Sequence, residues 1–156
     1  MMMDREALLR HGEDLAAEMM NKRIKETHKD LRKTVEGLVT RGATALGPAV
    51  SVSLGLASKG APGSQIVVCT DGLANQGIGS FGFYGEGAAG ASKFYEEIGL
   101  YAQEHALTVN VISIIGADCK LEALSKLSEL TGGTVERVDP QNLDENFREI
   151  FANKSI

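Results

Sequence analysis

The residue in this sequence best placed to do chemistry is Asp71. It ends an apolar run, Gln65 to Thr70, in the stretch "SQIVVCTDGLANQGIG", and Gly72 turns the chain directly behind it. A carboxylate there has two chemical uses: it accepts hydrogen bonds from a neighbouring helix N-terminus, or it approaches a hard cation such as Mg²⁺. A plainer reading stands beside them, because Asp-Gly pairs open turns. Asp118 follows a second apolar run, "TVNVISIIG", but only after Gly116 and Ala117. At that offset it reads as the cap of a helix beginning near Lys120.

Other constellations carry less. "GIGSFG", Gly77 to Gly82, formally matches G-x-G-x-x-G. A dinucleotide fingerprint needs those glycines at the strand-to-helix turn itself, whereas here the next clear helix begins only near Gly90. There is no G-x-S-x-G elbow for a Ser-His-Asp hydrolase. His11, His28 and His105 sit among charged residues without metal-ligand spacing and read as solvated. Cys69 and Cys119 show no such spacing either. Cys69 lies inside the apolar run and reads as a small buried hydrophobe. A reduced, cytoplasmic setting without disulfides is expected.

The elements that must position these residues follow from periodicity. Leu8, Leu9, Leu15, Ala16 and Met19 recur near helical spacing behind Asp4, a cap candidate. A second helix is expected from about Lys25 to Val39, with Ile24, Leu31, Val35 and Leu38 along one stripe. The segment Val50 to Leu56 alternates like a strand, yet Thr44 is a fair N-cap and Pro48 suits a first helical turn; pattern alone leaves it open. "QIVVCT" and "TVNVISIIG" are short β-branched runs, as expected of strands covered on both faces, and "TVERVD" is a third, more polar one. Helices separate them, with Phe94, Ile98, Tyr101 and Ala102 inward in the first. A last helix places Leu143, Phe147 and Ile150 inward, with Asn142 or Asp144 near its cap. Alternating strands and helices predict a parallel α/β sheet with right-handed crossovers.

Composition narrows the function classes. The 156 residues hold 16 basic and 21 acidic side chains, a formal charge of −5. The densest basic segment, "NKRIKETHKDLRK", has acids threaded through it and reads as a solvated helix face, so nucleic-acid binding is not expected. No apolar run approaches the roughly 20 residues that span a bilayer, and the first twenty residues mix charges with apolar residues, unlike a signal peptide. A single domain is expected, residues 1–156, with 1–24 a helical extension.

Three phrases in register resemble the von Willebrand factor type A domain: "RGATALGPAV", "IVVCTDG" and "LSELTGGTVERVDPQNLDENFREIF". The wording "TALGPA" is most similar to intracellular members attached to circularly permuted Ras-like proteins. The resemblance implies a helix at Val50 to Leu56. It implies a Mg²⁺ site at the carboxyl end of the sheet, with Thr44 as its threonine and Asp71 as its aspartate. The family's Asp-x-Ser-x-Ser and its first strand do not occur, so the resemblance is to a C-terminal part and the cation site is incomplete. In the full family sheet that missing strand pairs with 65–70, which here becomes an open edge. A second copy, a protein partner or a rearranged N-terminal helix is expected to cover it.

The expected fold is therefore α/β: a three-layer, Rossmann-like parallel sheet flanked by helices, like a truncated type A domain. The expected function is a non-catalytic protein-interaction module. Phe81, Phe83 and Tyr84 in the loop Leu73 to Gly90 are its candidate anchors, or else fold back as a lid over the sheet. A nucleotide- or phosphate-binding protein using the glycine loop and helix N-termini is the alternative. A folded remnant without activity of its own is the third reading.

Overall fold

The computed structural model describes residues 4–152 except 21, 41, 72, 82–86 and 115–120. In chain order the elements are α1 (Arg5–Met19), α2 (Ile24–Glu36), α3 (Leu46–Ser58), β1 (Gln65–Thr70), α4 (Gly87–Glu104), β2 (Thr108–Ile114), α5 (Leu121–Leu130), β3 (Val135–Val138) and α6 (Leu143–Ala152). The segment open on pattern alone is a helix. Its small residues let it lie close to its neighbours: a Cβ on Gly55 would overlap the carbonyl of Leu9 in α1, and one on Gly12 would overlap that of Val52. Backbone-to-backbone crossing of this kind requires glycine.

The sheet is parallel, in the order β1-β2-β3, with Val68 opposite Val111 and Val111 opposite Val135. Alternation along each strand divides its side chains between two faces. One face meets α3, α4 and α5: Val68, Val109 and Val111 pack with Leu54, Ile98, Leu124 and Leu127. The other meets α6, where Ile112 and Val138 pack with Ile150, and Val67, Leu143 and Phe147 lie partly buried against them. The α/β, Rossmann-like architecture is thus as expected. The turn from α5 to β3 is pinned by Thr131, whose hydroxyl accepts from the Val109 amide at 3.0 Å, and by Asn110, whose Oδ1 accepts from the Thr134 amide at 3.0 Å.

Three expectations need correction in detail. Cys69 is exposed rather than buried: it lies on the edge strand β1, on the face where the α6 cluster reaches Val67 but does not include Cys69. The stripe of α2 is not buried by the described residues. Ile24, Leu31, Val35 and Leu38 are between 48% and 71% exposed. The last helix is preceded by a 3₁₀ turn, Pro140–Asn142, capped by Asp139, whose carboxylate accepts from the Gln141 amide at 3.0 Å. Asp4 does cap α1, accepting from the Ala7 amide at 2.7 Å.

Candidate functional site

In an open parallel sheet, ligands bind beyond the carboxyl ends of the strands. Asp71 stands there, exposed, one residue past β1. The chain enters β1 from α3, so α3 runs back along the strand and its N-terminus lies at the same end of the sheet. Thr44, just before that helix, is fastened to the loop after Asp71: its amide donates to Asn75 Oδ1 at 2.8 Å. Its carbonyl accepts from the Asn75 and Gln76 amides at 3.0 and 3.2 Å. The two residues matched through the resemblance are therefore brought to one end of the sheet.

Thr44 is not the cap of α3. Ala45 holds that position and no side chain caps the helix. The first amides of the helix, Leu46 and Gly47, have no intrahelical partner, and Pro48 has no N–H to satisfy. Gly47 is also where the loop presses closest, since a Cβ there would overlap the carbonyl of Ile78. Gly77 and Gly79 adopt positive φ, 78° and 72°, a conformation that favours glycine. Gly77 and Gly79, two of the three glycines that formally matched a nucleotide fingerprint, thus lie over the first turn of α3 and against the Phe94 ring of α4, while Gly82 lies outside the described residues.

Of the expected aromatic anchors, Phe81 is half-buried and folds back toward the sheet. Its amide donates to the Ala74 carbonyl at 2.8 Å, and its ring stacks on Tyr95 with centroids 6.2 Å apart. Phe83 and Tyr84 lie outside the described residues, as do Asp118 and Cys119. Cys69 sits two residues before Asp71; although the residue is exposed, partial desolvation of its thiol first, and the Asp71 carboxylate second, push its pKa up. A thiol held protonated is a poor nucleophile.

Comparison with known proteins gives one informative likeness. No family model matches the chain. The chain is 35% identical over 126 residues to "Circularly permutated Ras protein 1" of Dictyostelium discoideum, a match that covers 81% of this chain and 15% of that protein. The chain thus spans about a seventh of the relative's length.

This corrects two expectations. Ras proteins bind and hydrolyse GTP, so the likeness contradicts the expectation of a non-catalytic chain and favours the nucleotide-binding alternative over the interaction module. It also leaves the type A domain and its metal-ion adhesion site without support, and the donor set agrees. Among the described residues no three His, Cys, Asp or Glu side chains come together to hold a metal ion. The Thr44 hydroxyl and Asp71 carboxylate are too few for Mg²⁺, which demands near-octahedral coordination and gives up its waters reluctantly. The link to circularly permuted Ras-like proteins stands at the coarser level. Among the described residues no helix is long and apolar enough to cross a membrane.

Proposed function

We propose that this chain binds a phosphate-bearing nucleotide at the carboxyl end of its sheet, as part of a Ras-like protein that hydrolyses GTP. The observation that carries the reading is the 35% identity to a circularly permutated Ras protein over 81% of the chain. The geometry is compatible with it. The α3 N-terminus has no side-chain cap, and the positive end of its helix dipole, beside the loop laid over its first turn, favours phosphate. The phosphate-gripping G-x-x-x-x-G-K-[ST] of Ras-type proteins does not occur in these 156 residues. Phosphate contacts from this chain therefore fall to backbone amides rather than to a lysine.

A cation held by protein groups alone does not fit this site, but Mg²⁺ carried on phosphates does. Such an ion takes most of its ligands from phosphate and water and needs only one or two protein groups. Thr44 and Asp71 are the groups within the same loop cluster.

The test is a melting and calorimetric titration with GDP, GTP and inorganic phosphate, each with and without Mg²⁺, repeated on Asp71→Ala. A melting shift with nucleotide, whose Mg²⁺ dependence is lost in Asp71→Ala, is the expected result. No shift and no heat with either nucleotide at millimolar concentration would refute the proposal.

A further inference from the structure

One helix of this protein carries an apolar face that the described residues leave exposed. In α2, Ile24, Leu31 and Val35 fall on one face of the helix, and Leu38 and Val39 continue the apolar surface past its end. All five are at least 48% exposed. Lys25, Lys29, Arg32 and Lys33 flank that face on one side, at helical spacing. From Lys22 to Glu36 six basic residues stand against three acidic ones, a net charge of +3. The rest of a chain whose total is −5 therefore carries −8.

The complementary surface is a groove between α1 and α4, with a volume of about 470 Å³. Its apolar floor includes Leu100, 44% exposed, and Tyr101. Glu6 and Glu13 from α1, with Glu97 and Glu104 from α4, line it beside Arg5 and Arg10; Glu97 pairs with Arg5 and Glu13 with Lys59, so that among the described residues Glu6 and Glu104 stand against Arg10 alone. The two walls are held together, since Arg5 bonds Glu97 at 2.6 Å and the Tyr101 hydroxyl donates to Glu13 at 3.0 Å. The groove is thus a formed surface that sets Leu9, Leu100 and Tyr101 beside the carboxylates of Glu6 and Glu104.

We propose that two copies of this chain associate by exchanging α2, the apolar stripe of each lying in the α1–α4 groove of the other. An amphipathic helix seated in an apolar groove is a recurring recognition mode, read through anchors at i, i+4 and i+7 spacing. Both halves of the interface are on one chain, so the pairing is self-complementary and closes as a two-fold dimer. The basic flank of α2 meets Glu6 and Glu104, which gives the dimer its salt dependence. α2 is 13 residues, about 20 Å long, enough to lay its anchors along two to three turns of α1. This surface is separate from the β1 edge and from the site beside Asp71, and the proposal does not depend on nucleotide binding.

The test is sedimentation velocity on the 156-residue chain over a range of concentrations, at low and high salt. The expected result is a dimer that weakens with salt. Leu31→Glu with Val35→Glu on α2, and separately Leu100→Glu in the groove, should each weaken it by more than about tenfold. Circular dichroism checks that these exposed substitutions leave the fold intact. The decisive arm mixes the two variants. The α2 variant keeps a good groove and the groove variant keeps a good α2, so one of the two joints re-forms and a heterodimer appears. A monomer at every concentration, as when α2 folds onto its own α1, would overturn the proposal. So would a dimer indifferent to the α2 variant, which would place the contact at the β1 edge, or a mixture in which no heterodimer forms.

Discussion

Replacing Tyr95 with Phe should stabilise this protein. The side chain is fully buried, 0% exposed, stacked on Phe81 and edge-on to Phe94 with centroids 5.2 Å apart. Its hydroxyl finds no hydrogen-bond partner among the described residues. Tyr95→Phe keeps both ring contacts and deletes only the unsatisfied oxygen. A buried hydroxyl without a partner costs about 1–3 kcal/mol, and the void left is smaller than a methyl group, worth under about 1 kcal/mol. The net gain is therefore about 1–2 kcal/mol. For a chain of this length that raises Tm by roughly 2–8 °C. The gain should also depend on pH. Burial raises the Tyr95 pKa far above the ordinary tyrosine value, so the folded phenol stays neutral where the unfolded one ionises, near pH 10. Below that pH both forms are protonated and the contribution is constant. Above it the unfolded state sheds a proton that the folded state keeps, and stability falls as pH rises toward the folded pKa. The variant lacks this loss, so its advantage should widen by up to about 1.4 kcal/mol per pH unit above pH 10. Urea unfolding followed by circular dichroism, at neutral pH and above pH 10, measures both effects. A variant no more stable than the parent at neutral pH would mean that the hydroxyl is satisfied. Parallel pH curves would mean that burial does not hold the phenol neutral.

Three further outcomes are expected. Gly55→Ala should lower stability by about 1–3 kcal/mol in urea titrations, because its Cβ would drive α1 off α3; the gain in helix propensity, about 1 kcal/mol, does not offset this, and a stabilised variant would refute the close crossing. Cys69 should alkylate more slowly than a free thiol at pH 8, because its pKa is raised and less of it is thiolate. Asp71→Asn should speed the reaction by removing the nearby negative charge, with peptide mass spectrometry separating Cys69 from Cys119. Phe81→Ala should cost about 1–3 kcal/mol in thermal or urea unfolding, since the ring is half-buried against Tyr95.

The order of strands and helices was legible in the sequence because each signal is local. "QIVVCT" and "TVNVISI" are apolar β-branched runs, and α1, α4 and α6 carry helical spacing, with Leu8, Leu9, Ile98 and Ile150 buried as expected and Met19 at the end of α1 exposed. The placement of Asp71 at the carboxyl end of β1 was legible for the same reason, since a residue that ends a parallel strand lies at the ligand end of the sheet. The segment Leu46–Ser58 was not: alternating valines and serines satisfy both periods, and only packing against α1, glycine against carbonyl, selects the helix. Cys69 looked buried because a continuous apolar run does not say which face a short sheet leaves bare. The stripe of α2 looked like a core stripe because amphipathicity records that a surface prefers cover, while the tertiary structure alone decides whether this chain supplies it. Function divided in the same way. The residues alone marked an acidic strand end and a glycine loop. The fold brought Thr44, Asn75 and the uncapped start of α3 to that same end, since contacts between residues 31 apart are set by how elements pack and not by any local pattern.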